Sequence, residues 1–135
     1  MEQEKKVIIL AQVGSPRSTS TADVRSYLKE FLSDERVVDL PRPFWTIILY
    51  LFILPFRPKK SAAAYKRIEF CKRFPLVEIT NRFAEQLQIY LGEGYIVKAG
   101  YLLSQPRLKN LLQNNPQALV IPQFPQFSDT TTSCC

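Results

Sequence analysis

Apolar positions along the chain switch repeatedly between short continuous runs and helical spacing. Residues 7–11, Val-Ile-Ile-Leu-Ala, form a β-branched run that ends in Gln12-Val13-Gly14-Ser15-Pro16, the pattern of a buried strand stopping in a loop. Ser20 followed by Asp23 has the form of a capping box, and Val24, Tyr27, Leu28, Phe31 and Leu32 then recur at helical spacing. Residues 36–40 read as extended, and Pro41 and Pro43 keep a helix from starting cleanly before Phe44. From Phe44 to Phe56 almost every residue is apolar. That run is shorter than the roughly 20 residues of a membrane span and is interrupted by Pro55, so it predicts a core helix or an interfacial lip. Ser61 predicts the cap of a helix reaching Phe70, with Ala64, Tyr65 and Ile68 on one face. A further helix follows Pro75 with Leu76, Ile79, Phe83, Leu87 and Tyr90 in register, and Gly92 and Gly94 end it. Residues 95–99 and 118–121 read as strands, with a short helix over 107–113 stopped by Asn114-Asn115-Pro116.

Strands alternating with helices predict an α/β fold with a short, mainly parallel sheet and flanking helices, because parallel neighbours need helical crossovers. The stretch between Pro106 and Pro122 leaves barely two helical turns for the last crossover, so a rearranged or strand-exchanged α/β fold stands as the alternative. With 135 residues the chain has the length of one domain, taken as residues 1–121. Residues 122–135 form a tail rich in Pro, Gln, Ser and Thr without core periodicity, read as a disordered segment or a substrate loop.

The net charge of +6 suits anionic partners, whether carboxylate-bearing small molecules, anionic lipid or nucleic acid, without choosing among them. The cations are spread out, and no basic-aromatic motif marks a specific nucleic-acid reader. Cys71 stands alone, and Cys134-Cys135 is a vicinal pair rather than a disulfide framework, which points to a reducing, cytoplasmic setting. The first six residues carry two acids and precede an apolar run too short for a signal-peptide core, so secretion is not expected.

Four ordered motifs then become specific. Gln12-Val13-Gly14-Ser15-Pro16, the segment "YLKEFLSDERVVDLPR", "ILPFRPKKSAAAYKRI" and "IPQFPQFSDTTTS" match ferrochelatase signatures in the correct order over nearly the whole chain. The sequence resembles the N-terminal half of a ferrochelatase. That resemblance implies one of two α/β halves whose cleft binds protoporphyrin and inserts ferrous iron, with the metal-proximal histidine and glutamate coming from the other half. It further implies that Arg57 faces a porphyrin propionate, that Tyr65 lies near the same group, and that Val13 stands against the macrocycle. Trp45, Ile48 and Phe52, within the run from Phe44 to Phe56, match the apolar lip of the cleft.

Other positions depart from the family. Leu102 and Leu103 stand where it has an arginine and a cleft tyrosine or histidine, before the Gln105-Pro106 turn. Phe74 replaces a propionate-side serine, and Ser133 replaces a glycine. The sequence contains no histidine, and Glu78, Glu85 and Asp129 are not spaced as an acid/base couple or a metal site. The expectation is a truncated, non-catalytic family member, a pseudoenzyme without catalytic residues, metal site or cofactor, that keeps at most residual porphyrin or heme binding. The alternative is a homodimeric chelatase inserting ferrous or another divalent metal ion. The run from Phe44 to Phe56, together with one face of an incomplete sheet, exposes more apolar surface than a small monomer leaves free. It predicts a homodimer, with contact to the inner face of a membrane as the competing use.

Overall fold

Strand β1 (Lys6–Gln12) lies at the centre of a three-stranded parallel sheet, with β2 (Tyr95–Tyr101) on one side and β3 (Leu119–Pro122) on the other. The protein is seen here as a computed structural model that describes residues 5–124. Ile8 aligns with Val97 and with Leu119, and Leu10 with Ala99 and with Ile121. Being paired on both edges, β1 has to be apolar on both faces, and Ile9, Leu10 and Ala11 are essentially excluded from solvent. Two cores result. Ile8 and Leu10 pack with Ala84, Ala99 and Tyr101 under helix α4 (Pro75–Leu91), while Ile9 and Ala11 pack with Leu108 under α5 (Leu108–Asn114) on the opposite face. The fold is therefore the expected α/β layer. The short crossover suffices, since α5 carries the chain from β2 across β1 to a parallel β3, and no rearrangement is needed.

Between β1 and α4 the chain forms α1 (Thr21–Leu32), α2 (Arg42–Ile48), a π-helical turn over Leu49–Ile53, and α3 (Leu54–Ile68). Ser20 caps α1 as expected, its side chain accepting from the Asp23 N–H at 3.1 Å. Residues 36–40 do not form a strand. The Asp34 carbonyl accepts from Val37 N–H at 3.1 Å, and the Asp34 side chain accepts from Arg36 N–H at 2.9 Å, which curls the segment into a turn. Ser61 does not start a helix either: it lies inside α3, because the helical course is already established from Arg42. Pro55 leaves that course unbroken. The π turn places the Leu54 N–H on the Leu49 carbonyl just ahead of the proline, whose missing N–H falls in the first turn of α3, where no partner is required.

Helix α4 ends at Gly92, whose φ of +74° suits a residue without a Cβ. Its register corrects the sequence expectation. Val77, Thr80, Ala84, Leu87 and Leu91 face the sheet, whereas Leu76, Ile79, Phe83 and Tyr90 are exposed. The orientation is pinned by Gln88, whose amide spans the outer edge of β2. Its Nε2 donates to the Tyr95 carbonyl at 3.0 Å and the Gly92 carbonyl at 3.1 Å, and its Oε1 accepts from Val97 N–H at 2.7 Å. The Tyr101 N–H is taken by the Pro106 carbonyl at 3.0 Å, so both ends of this edge are closed to another strand. Pairing at β3 continues past the expected boundary at 121, with Gln123 N–H donating to the Ala11 carbonyl at 2.8 Å. The remainder of the tail, including Asp129, Ser133, Cys134 and Cys135, lies outside the described residues.

Two expectations follow. Gln88→Ala removes three hydrogen bonds at a partly solvated edge and is expected to lower stability by about 1–2 kcal/mol, read as a shifted midpoint in urea unfolding. Tyr101 is fully buried, its hydroxyl 2.7 Å from Asn81 Oδ1, and burial pushes its pKa up to about 12. Folding therefore gains stability from the neutral phenol that is intact below pH 10, where the unfolded tyrosine is also protonated. It decays as pH rises from about 10 towards 12, on the order of 2 kcal/mol. Unfolding midpoints measured from pH 8 to 11.5 are expected to fall only above pH 10, and to fall less steeply in Tyr101→Phe.

Candidate functional site

The carboxyl ends of β1 and β2 open into a cleft, the usual place for a ligand in an open parallel sheet. The loop after β1 sets its floor. Gly14 has a φ of +99°, and a methyl group there would collide with the Ser104 side chain. Ser104 Oγ accepts from Ser15 N–H at 2.8 Å and donates to the Ser15 carbonyl at 2.7 Å, locking this loop to the one after β2. Two further bonds continue the junction: Leu102 N–H to the Gln12 carbonyl at 3.0 Å and Leu103 N–H to the Val13 carbonyl at 2.9 Å.

That junction brings Val13 together with Phe31, Val37, Leu102 and Leu103 in an apolar recess of about 160 Å³, rimmed by Glu30 and Asp34. Leu103 and Glu30 also line an adjoining open cleft of about 980 Å³, whose walls include Ser15, Arg17, Tyr27, Phe74 and Ser104. Two cations of this larger cleft are tied up. Arg107 pairs with Glu30 at 2.6 Å, a bond that raises the guanidinium pKa, and Arg73 pairs with Glu78 at 3.2 Å. Among the described residues Arg17 and Lys72 make no ion pair.

The other candidate residues lie on the helical arm beside the recess. Trp45 is half-buried, and its indole N–H donates to the Leu32 carbonyl at 2.7 Å, fastening α2 to the end of α1. Ile48 is half-buried as well, whereas Phe52 is 63% exposed together with Phe44, Ile47, Leu51 and Phe56. Most large apolar side chains of the arm are thus exposed and not part of a core; Leu49 and Leu54 anchor it inward, with Pro58 and Ala62 buried further along α3. From Leu40 to Ile68 the sequence has six cations (Arg42, Arg57, Lys59, Lys60, Lys66 and Arg67) and no acid. Arg57 is exposed, and among the described residues it makes no hydrogen bond or ion pair. Tyr65 stands apart from Arg57, in an aromatic trio: its ring meets Tyr27 edge-on at 6.2 Å and Phe74 at 5.5 Å. Burial raises the pKa of both tyrosines, so each stays a neutral hydroxyl.

The six residues singled out in the sequence therefore fall into three places: Val13 in the recess, Trp45, Ile48, Phe52 and Arg57 on the lip, and Tyr65 in the trio. Phe31, Val37, Ser104 and Arg107 were not marked as site residues, because only the β1–β2 pairing and the Arg107–Glu30 bridge bring them in. Among the described residues no group of three or more metal-ligating side chains converges; Glu78 is engaged by Arg73, and Glu85 is exposed on the outer side of α4.

A model of the ferrochelatase family matches residues 5–135. The ferrochelatase of Janthinobacterium sp. (strain Marseille) is 42% identical over 137 aligned residues, covering 96% of this chain and 37% of that protein. That of Coxiella burnetii (strain RSA 493 / Nine Mile phase I) is 36% identical over 131 residues, covering 93% of this chain and 37% of its own length. The coproporphyrin III ferrochelatase of Lactococcus lactis subsp. cremoris (strain MG1363) is 41% identical over 133 residues, covering 95% of this chain and 42% of its own. No solved structure matches. The chain spans about two fifths of the length of these relatives, and with the match running from residue 5 through residue 135 it belongs to the ferrochelatase family.

Proposed function

We infer that these residues form one wall of a tetrapyrrole site and do not insert metal by themselves. The observation that carries this reading is the apolar recess around Val13, Leu102 and Leu103 opening beside a lip that has six cations and no acid. A tetrapyrrole is a flat apolar ring with carboxylate edges. The recess and Trp45, Ile48 and Phe52 offer apolar contact, and Arg57, with its planar fork unpaired, offers a bidentate partner for a propionate. At about 160 Å³ the recess is smaller than the roughly 300–1,000 Å³ of pockets that enclose a ligand, so it supports a wall and not an enclosure.

Metal insertion needs a base to take the two pyrrole protons as ferrous iron enters the ring. A group with a pKa near the working pH does this best, and the sequence has no imidazole. Tyr27 and Tyr65, with pKa values raised by burial, are poor proton acceptors. A positioned base contributes roughly 10²–10⁴-fold. Under anaerobic conditions the purified chain is expected to metallate protoporphyrin no faster than the uncatalysed reaction, while protoporphyrin quenches the fluorescence of Trp45, the single tryptophan, saturably. Arg57→Ala is expected to weaken that quench several-fold, since a charged hydrogen bond is worth ~1.5–3 kcal/mol. Multiple turnovers that survive extensive purification, or a quench indifferent to Arg57, would overturn the reading.

The exposed lip favours a second reading, a homodimer in which two copies bury Phe44, Ile47, Leu51, Phe52 and Phe56 and complete a shared chelatase cleft. Sedimentation is expected to show a concentration-dependent dimer that Phe52→Asp dissociates. A monomer across the whole concentration range that instead binds anionic vesicles would assign the lip to a lipid surface.

A further inference from the structure

Glu30, near the end of α1, lines the apolar recess, the open cleft and a third hollow of about 730 Å³ that runs along α5 past Leu108, Leu112 and Gln113. Its partner there is Arg107, 77 residues further along the chain. Nη1 of Arg107 donates to Glu30 Oε1 at 2.6 Å and to the Leu102 carbonyl at 2.5 Å, and Nη2 donates to Glu30 Oε2 at 3.1 Å. One guanidinium fork thus ties α1 to the end of β2. Its root is fixed as well, because Arg107 is the N-cap residue of α5 and its carbonyl accepts from Leu111 N–H at 3.1 Å. Phe31, next to Glu30, belongs to one wall of the recess, and Leu102 and Leu103 belong to the other. The bridge stands where the two walls are joined.

We propose, resting on the reading of these residues as a tetrapyrrole wall, that Arg107 and Glu30 are positioning residues that close the recess and set its specificity, admitting an uncharged substituent of the ring and turning away a carboxylate. The recess is apolar at Val13, Phe31, Val37, Leu102 and Leu103, and the charged residues on its rim, Glu30 and Asp34, are both acids. A carboxylate entering it would lose water against apolar side chains and meet charge of its own sign, whereas a vinyl group meets neither cost. Arg107, the cation that could neutralise such a carboxylate, does not line the recess; its fork is engaged by Glu30 and the Leu102 carbonyl. The paired side chains are 31% and 47% exposed, and an ion pair so open to water adds little to folding. Its effect is therefore on the placement of the walls and on which charge faces the ligand, and binding can be separated from stability.

Protoporphyrin and coproporphyrin are the probes, because coproporphyrin carries propionates where protoporphyrin carries its vinyl groups. Binding of each to the whole 135-residue chain is read by quenching of Trp45 fluorescence. The native chain is expected to bind protoporphyrin more tightly. Glu30→Gln frees the Arg107 fork for a carboxylate in the recess, so affinity for coproporphyrin should rise while that for protoporphyrin falls, moving their ratio by at least ~10-fold. Arg107→Gln leaves Glu30 without its counter-charge, and both affinities should fall, that for coproporphyrin more. Arg107→Lys, which keeps the charge without the fork, should restore the discrimination in part. A purely structural role would weaken both porphyrins in equal proportion, and urea midpoints check that each variant folds. The proposal is overturned if the native chain prefers coproporphyrin, or if the ratio stays put in Glu30→Gln and Arg107→Gln. A ratio unmoved while Arg57→Ala still weakens the quench rejects the role of the bridge alone. A native chain that neither porphyrin quenches rejects the tetrapyrrole wall and the bridge with it.

Discussion

The pairing of β1 with a strand on each side is the constraint on which the rest of the structure depends. It forces Ile9, Leu10 and Ala11 out of solvent and demands a helix on each face, which α4 and α5 supply. It also brings the loop after β1 and the loop after β2 to the same end of the sheet. There the Ser104 hydroxyl, held by both backbone groups of Ser15, joins segments 89 residues apart in sequence. Leu102 and Leu103 reach Val13 only through that junction. The recess is thus a consequence of sheet register, and a slip of one residue would turn those side chains to the other face.

The lip obeys a different logic. Few of its side chains are buried, and it is tied down by local helix formation and a small number of anchors: the Trp45 indole on the Leu32 carbonyl, Leu49 and Leu54 inward, and α3 against α1. Its prolines do not break it. Pro55 sits in the first turn of α3, and Pro58 is buried inside the helix after a π turn has already shifted the hydrogen-bonding frame. Such turns concentrate at functional sites because the extra residue re-aims the side chains beyond it. The result is an arm that exposes large apolar groups and several cations, of which Arg42 is paired with Glu35.

Much of the organisation was legible in the sequence, because its signals are local. Three β-branched runs marked the three strands, Ser20 marked the start of α1, Gly92 marked the end of α4, and the ordered motifs carried the family. Departures at Phe74, Leu102 and Leu103 were visible as residue identities, and the structure shows what they do: Phe74 closes on Tyr65, and the two leucines make the recess apolar.

What only the tertiary structure decided is which of two equally periodic choices is used. Helix α4 carries two neighbouring apolar stripes, one through Val77, Ala84 and Leu87 and one through Leu76, Ile79 and Phe83. Helical spacing favours both, and the set expected from sequence mixed them: Leu87 packs on the sheet, while Leu76, Ile79, Phe83 and Tyr90 are exposed. The choice is made by Gln88, whose amide completes the edge of β2 and rotates the helix accordingly. The same holds for residues 36–40, where apolar content looked extended but Asp34 captures the backbone into a turn, and for Ser61, a sound cap placed where a helix was already running. Periodicity along the chain sets what an element is. Which face it buries depends on hydrogen bonds and crossovers between residues far apart in sequence.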